Sequence, residues 1–99
     1  MNIPNITRVI DGTRYSARKA DVVASDCYWD GRNFERGGRN TWLMKTKKGN
    51  FFMVYGTFWQ GERDHLEPVS VEEAIREYER LPESEMIYEE AFDTTVEEA

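Results

Sequence analysis

Two apolar runs facing each other across a short turn restrict this chain more than any other feature in it. Thr41-Trp42-Leu43-Met44-Lys45-Thr46 and Phe51-Phe52-Met53-Val54-Tyr55-Gly56-Thr57 are rich in strand formers. Lys47-Lys48-Gly49-Asn50 joins them, with glycine where a left-handed residue is usually needed. The pattern predicts a β-hairpin over 41–57. Both strands are apolar at successive as well as alternating positions, so each sheet face is expected to be at least partly covered. One face is expected to take helices and the other to meet a partner.

The flanking segments add shorter elements. Ile6 to Ile10 reads as a first strand that Asp11-Gly12 ends as a turn. Ser16 stands before a segment in which Ala20, Val23 and Ala24 fall at helical spacing, so a short capped helix is expected over 17–25. From Asp26 to Arg39, Asp30-Gly31 and Gly37-Gly38 punctuate a long loop or irregular hairpin. His65-Leu66-Glu67-Pro68 reads as a further strand, which Pro68 limits to an edge or an end. Ser70-Val71-Glu72-Glu73 is a capping box opening a helix over 71–81, with Val71, Ala74, Ile75, Tyr78 and Leu81 along one side and Pro82 at its end. Glu72 and Arg76 are spaced for an ion pair on it. Ile87, Tyr88, Ala91 and Phe92 predict a second short helix over 86–92, and 93–99 is expected to fray as an acidic end. The fold class is therefore α+β: one domain over 1–99, a small antiparallel sheet centred on the 41–57 hairpin, packed by two to three short helices.

Composition narrows the chemistry. A chain of 99 residues has room for one core, and Trp29, Trp42, Trp59 and the Phe51-Phe52 pair supply much of its burial. One cysteine, Cys27, and one histidine, His65, leave zinc without a ligand set. Cys27 reads as a buried thiol rather than a nucleophile paired with His65, and His65 as a solvated or loosely paired side chain. No glycine spacing followed by Lys-Ser/Thr cradles a phosphate. No metal, no cofactor and no catalytic residue is expected, so the chain reads as a non-enzyme. The first ten residues lack the pattern of a signal peptide, no apolar run approaches a membrane span, and the lone cysteine suits a reducing interior, so a cytoplasmic setting is expected.

Charge is divided along the chain. Residues 1–50 carry ten Lys/Arg against five Asp/Glu, while residues 51–99 carry three against fourteen, and no cation occurs after Arg80. This division is not needed to fold a small domain and bears on partners. One constellation is acidic: Glu73, Glu77, Glu79, Glu83, Glu85, Glu89 and Glu90, in which Glu73/Glu77, Glu79/Glu83 and Glu85/Glu89 fall one turn apart if helicity holds. Such an array can stand in for a phosphate backbone in the basic groove of a nuclease or other DNA-binding protein. The alternative constellation is basic and aromatic: Arg32, Arg36, Arg39, Lys45, Lys47 and Lys48 with Trp29, suited to gripping and stacking on nucleic acid. A third reading is a regulatory interaction module with no inhibitory role.

The succession Asp11-Gly12-Thr13-Arg14-Tyr15-Ser16, then Ala20…Val23-Ala24-Ser25, Leu43…Lys45-Thr46-Lys47-Lys48-Gly49-Asn50-Phe51-Phe52 and Glu67-Pro68-Val69-Ser70…Glu73-Ala74 resembles small proteins of Gram-positive, often gut-dwelling bacteria and of their phages and mobile elements. Those proteins are mostly of unknown function, and the shared motifs are structural. The resemblance implies no catalytic residues. It implies a mobile-element setting in which small acidic proteins include anti-CRISPR inhibitors, so the leading expectation is a non-catalytic inhibitor or accessory protein that binds a Cas effector through an acidic, DNA-mimicking surface.

Overall fold

The computed structural model describes residues 3–26, 39–57 and 59–93. Within them the fold is α+β: a five-stranded antiparallel sheet, a separate two-stranded ribbon and two α-helices. The ribbon comes first, β1 (Thr7–Ile10) pairing with β2 (Thr13–Ser16). Ile10 lies opposite Thr13, so Asp11 and Gly12 alone make the turn, with φ of 52° and 77°. Two successive positive φ values suit the right-handed strand twist, and Asp-Gly accepts them at low cost. The turn signal at Asp11-Gly12 thus belongs to a hairpin whose second strand the sequence reading did not include.

The helix expected over 17–25 does not form. Ala17–Lys19 make a single 3-10 turn, and Asp21–Ser25 form β3, paired with β4 (Arg39–Lys45). Val22 faces Met44 and Ala24 faces Leu43, so Val23 is an extra residue, a β-bulge. The bulge buries Val23, Ala24 and Ser25 in succession and breaks the alternation that marks a strand. The freed Val23 carbonyl accepts from the amides of Glu85 (2.9 Å) and Met86 (3.3 Å), which ties the C-terminal segment to this edge.

β4 and β5 (Phe51–Thr57) are the expected hairpin, in register from Arg39 opposite Thr57 to Lys45 opposite Phe51. Its turn closes with Thr46 N–H donating to Asn50 O (2.8 Å) and Gly49 N–H to Thr46 O (2.9 Å), while Gly49 takes φ of 93°. β6 (His65–Val69) lies outside β5 at the edge, where the missing amide of Pro68 costs no ladder bond. α1 (Val71–Arg80) follows, capped as expected: Ser70 Oγ accepts from Glu73 N–H (3.1 Å), and Glu73 Oε1 accepts from Ser70 N–H (3.3 Å). The helix crosses β5, β4 and β3, and the chain then adds β7 (Glu83–Ser84) to the far edge of β3 before α2 (Tyr88–Phe92). The sheet order is β6-β5-β4-β3-β7.

Successive burial in the hairpin has a plain cause, since both sheet faces are covered. Leu43, Phe51 and Met53 pack with Val23, Ala74, Leu81 and Ala91 under the helices, joined by Tyr78 and Phe92. Trp42, Met44, Phe52 and Val54 pack on the opposite face with Ala17 and Leu66, joined by Ile6, Ile10 and Tyr15 of the N-terminal segment. The second face is thus closed by the chain's own β1–β2 ribbon, which corrects the expectation that it awaits a partner. Ala74 and Ala91 are fully buried, and their small side chains let both helices lie close on the sheet. On the α1 stripe, Val71 is exposed and Ile75 half-buried, so the helix seats through Ala74 and Leu81.

Candidate functional site

The three-layer stack gives the charge division a spatial meaning. The N-terminal layer, residues 3–20, exposes Arg8, Arg14, Arg18 and Lys19 on one side of the sheet. The segment 71–93 carries nine carboxylates against Arg76 and Arg80; α1 and α2 cover the other face, while Glu83 lies on β7 in the sheet itself, and Glu85 borders a cleft with Ile3 and Trp42. The sheet separates the ribbon from the two helices.

Within the acidic segment the seven expected residues fall into two groups. Glu73 and Glu77 are used by the fold. Glu73 completes the capping box, and Glu77 receives both Arg80 Nε (2.9 Å) and an Arg80 terminal nitrogen (2.8 Å). That fork lowers the Glu77 pKa, mainly by hydrogen bonding and against a smaller burial effect, and raises that of Arg80. The helical ion pair is therefore Glu77–Arg80, three residues apart, and no Glu72–Arg76 pair occurs among the described residues. Glu79, Glu83, Glu85, Glu89 and Glu90 are exposed, and none of their carboxylates is held in an ion pair among the described residues. Glu83 lies on β7, opposite Ser25, and Glu85 between β7 and α2. Helical spacing hence does not govern Glu79/Glu83 or Glu85/Glu89, which corrects the expected turn-by-turn array.

Of the basic and aromatic constellation, the described residues include Arg39, Lys45, Lys47 and Lys48. Trp29, Arg32 and Arg36 lie outside the described residues, as does Cys27. Arg39, at the start of β4, is clamped by Glu62: Nε donates at 3.0 Å and a second guanidinium nitrogen bonds the other carboxylate oxygen. Its guanidinium also sits 5.2 Å from the Trp59 ring centre. The clamp raises the Arg39 pKa and lowers that of Glu62, to which the Thr57 hydroxyl also donates. Lys45, at the other end of the strand, turns to the helical side, where Nζ donates to the Glu90 carbonyl (3.2 Å) and lies 5.7 Å from the Phe51 ring centre.

Lys47 and Lys48 have different company. They line a cleft of about 460 Å³ between the β4–β5 turn and the β1–β2 ribbon, together with Arg14 and Lys19. Sequence reasoning missed Arg14 and Lys19 as members of this group. The available signal was Arg14 two residues past the Asp11-Gly12 turn, but only the seating of the ribbon on β4 and β5 joins it to lysines more than thirty positions away.

A second cleft, of about 440 Å³, opens at the far end of β4 and β5, bordered by Asn40, Tyr55, Glu62 and His65. His65 is exposed and stacks on Tyr55, with ring centres 4.5 Å apart. Burial first, then the charges of Glu67 and Glu77, push the Tyr55 phenol up to about 12. Asn40 is buried; its Nδ2 donates to Asp26 (3.2 Å), while its Oδ1 has no partner among the described residues. Among the described residues no group of His, Cys, Asp and Glu is placed to hold a metal ion, and no helix is long and apolar enough to cross a membrane. Compared with known proteins, the chain matches no family model, no curated protein and no solved structure.

Proposed function

We propose that the chain is a non-catalytic binding protein that sets its acidic C-terminal segment against a cation-lined surface of a partner protein, acting without metal or cofactor. The observation that carries this reading is the exposure of Glu79, Glu83, Glu85, Glu89 and Glu90 along the C-terminal segment, from α1 over the β7 edge to α2, without ion-pair partners among the described residues. An uncompensated excess of one charge costs stability and does nothing for the core, and a surface of opposite sign relieves it. Mimicry of nucleic acid then rests on charge density rather than on helical spacing. The mobile-element resemblance makes a Cas nuclease or another DNA-binding effector the partner class to try first, and the lone Cys27 suits a reducing, cytoplasmic setting.

The test joins binding and inhibition. Purified Cas effectors are assayed for DNA cleavage and for capture by the immobilised chain, with a variant carrying Gln at positions 79, 83, 85, 89 and 90. Glu73 and Glu77 are left intact because they serve the fold. The parent is expected to capture and inhibit, to be displaced by duplex DNA and to weaken as salt rises, while the five-site variant folds but loses both activities. A five-site variant that inhibits as well as the parent would sink this reading.

A further inference from the structure

The cleft between the two turns joins four cations that are dispersed in the sequence. Arg14 comes from β2, Lys19 from the 3-10 turn, and Lys47 and Lys48 from the β4–β5 turn. All four are exposed. Among the described residues no carboxylate lines the cleft, although Asp11 and Asp21 stand next to lining residues in the sequence. The hydroxyl-bearing Thr13 and Thr46 lie among the cations and add neutral hydrogen-bonding capacity.

The cleft is built by packing. Tyr15 meets Phe52 edge to face at 5.6 Å, Ala17 is buried against the same sheet face, and Ala17 N–H donates to Ile6 O at 3.0 Å. The two neighbours of Arg14 and Ser16 in the chain, Tyr15 and Ala17, are thereby fixed, and the ribbon is held beside the Lys47-Lys48-Gly49 turn. Edge protection does not account for this arrangement: Lys47 and Lys48 lie in a turn, and β4 and β5 are internal strands of the sheet.

From this geometry we infer that the Arg14/Lys19/Lys47/Lys48 cleft binds the phosphodiester backbone of duplex nucleic acid. Converging cations without a lining carboxylate attract a polyanion, and Arg and Lys with hydroxyl groups are the usual phosphate partners. Among the described residues no aromatic side chain lines the cleft, so they offer no platform for stacking unpaired bases and no preference for a single strand on that account. The site is separate from the acidic residues of α1 and α2, which pack on the other face of the sheet.

The experiment is fluorescence anisotropy of the full chain with a labelled 20-base-pair DNA duplex. Four phosphate contacts give a salt slope near −0.9 per contact, so affinity is expected to fall on the order of 10²-fold between about 50 and 200 mM salt. Replacing Arg14, Lys19, Lys47 and Lys48 with Gln is expected to abolish binding, whereas replacing Arg8, Arg18, Arg63 and Arg76 with Gln, an equal loss of charge on exposed positions, leaves most of it. Melting of both variants checks the fold. No binding by the parent at 50 mM salt, or equal loss in the two variants, overturns the proposal. Inorganic tripolyphosphate and a single-stranded 20-mer are run alongside. Cleft-dependent binding of tripolyphosphate without the duplex would assign the site to a small polyphosphate and overturn the nucleic-acid assignment, and a clear preference for the single strand would overturn the duplex assignment.

Discussion

Tyr15 and Phe52 meet edge to face, with ring centres 5.6 Å apart and planes inclined at 63°. Phe52 is fully buried on β5, and Tyr15 is half-buried on the N-terminal ribbon. The contact therefore joins two layers 37 positions apart in the chain. It closes a sheet face that would otherwise expose Trp42, Met44 and Val54 to water.

Phe52→Ala is accordingly expected to cost about 3–5 kcal/mol, the range for deleting a buried aromatic ring. In a double-mutant cycle, Tyr15→Leu and Phe52→Leu are expected to couple by about 0.5–1.5 kcal/mol beyond area effects. Urea unfolding measures both. Additive effects would show that the ribbon does not depend on this ring pair for its seat.

α1 makes a contrasting case. Ala74 is fully buried over β3, β4 and β5, whereas Ile75 is half-buried. Ala74→Leu is expected to destabilise the domain by about 1–3 kcal/mol through overpacking. Ile75→Ala should cost less than the roughly 2–5 kcal/mol typical of a fully buried isoleucine. Thermal melts of the two variants compare them directly, and an Ala74→Leu protein as stable as the parent would mean that α1 stands off the sheet.

The capping box can be tested by a pair of substitutions at one position. Ser70→Ala is expected to cost about 0.5–2 kcal/mol, because the Glu73 amide loses its acceptor and the methyl group hinders water from replacing it, while Ser70→Gly, which leaves the amide open to water, costs only a few tenths of a kcal/mol. Circular dichroism during thermal unfolding reads this difference. A Ser70→Ala protein that melts like the parent would exclude the hydroxyl as a stabilising cap.

Two groups should set the pH limits of stability in opposite directions. The Glu77 pKa is held below the usual 4.5 by Arg80, so its contribution is present above 4.5 and lost as pH falls through the lower folded value. Glu77→Gln should therefore lower stability at neutral pH and converge with the parent in acid, by a modest amount because Arg80 is largely exposed. The Tyr55 pKa is raised from 10.0 to about 12, chiefly by burial, so its contribution is full below 10 and lost as pH rises through 12. Tyr55→Phe should remove that alkaline decline. Denaturant midpoints against pH check both, and parallel curves for parent and variant would refute the assignments.

Local chemistry was legible in the sequence wherever an element is specified by its own residues. The β4–β5 hairpin, the edge position that Pro68 imposes on β6, the Asp11-Gly12 turn and the Ser70/Glu73 cap all follow from strand formers, a missing amide, low-cost positive φ and a hydroxyl acceptor. The segment 17–25 misled because its signal is not local. A bulge at Val23 buries three consecutive residues and imitates helical spacing, and the segment is held extended by pairing with β4 on one side and β7 on the other.

The candidate sites divide in the same way. The sequence by itself determined that the chain has a basic half and an acidic half, because charge is a property of composition. Tertiary structure decided where that charge is free. It tied Glu73 to a cap, Glu77 to Arg80, Arg39 to Glu62 and Lys45 to the Glu90 carbonyl. It also brought Arg14 and Lys19 beside Lys47 and Lys48, and left Glu79, Glu83, Glu85, Glu89 and Glu90 exposed along the C-terminal segment. The physical reason is that a charge acts over roughly 8–10 Å in salt water, a distance set by how layers pack rather than by separation along the chain.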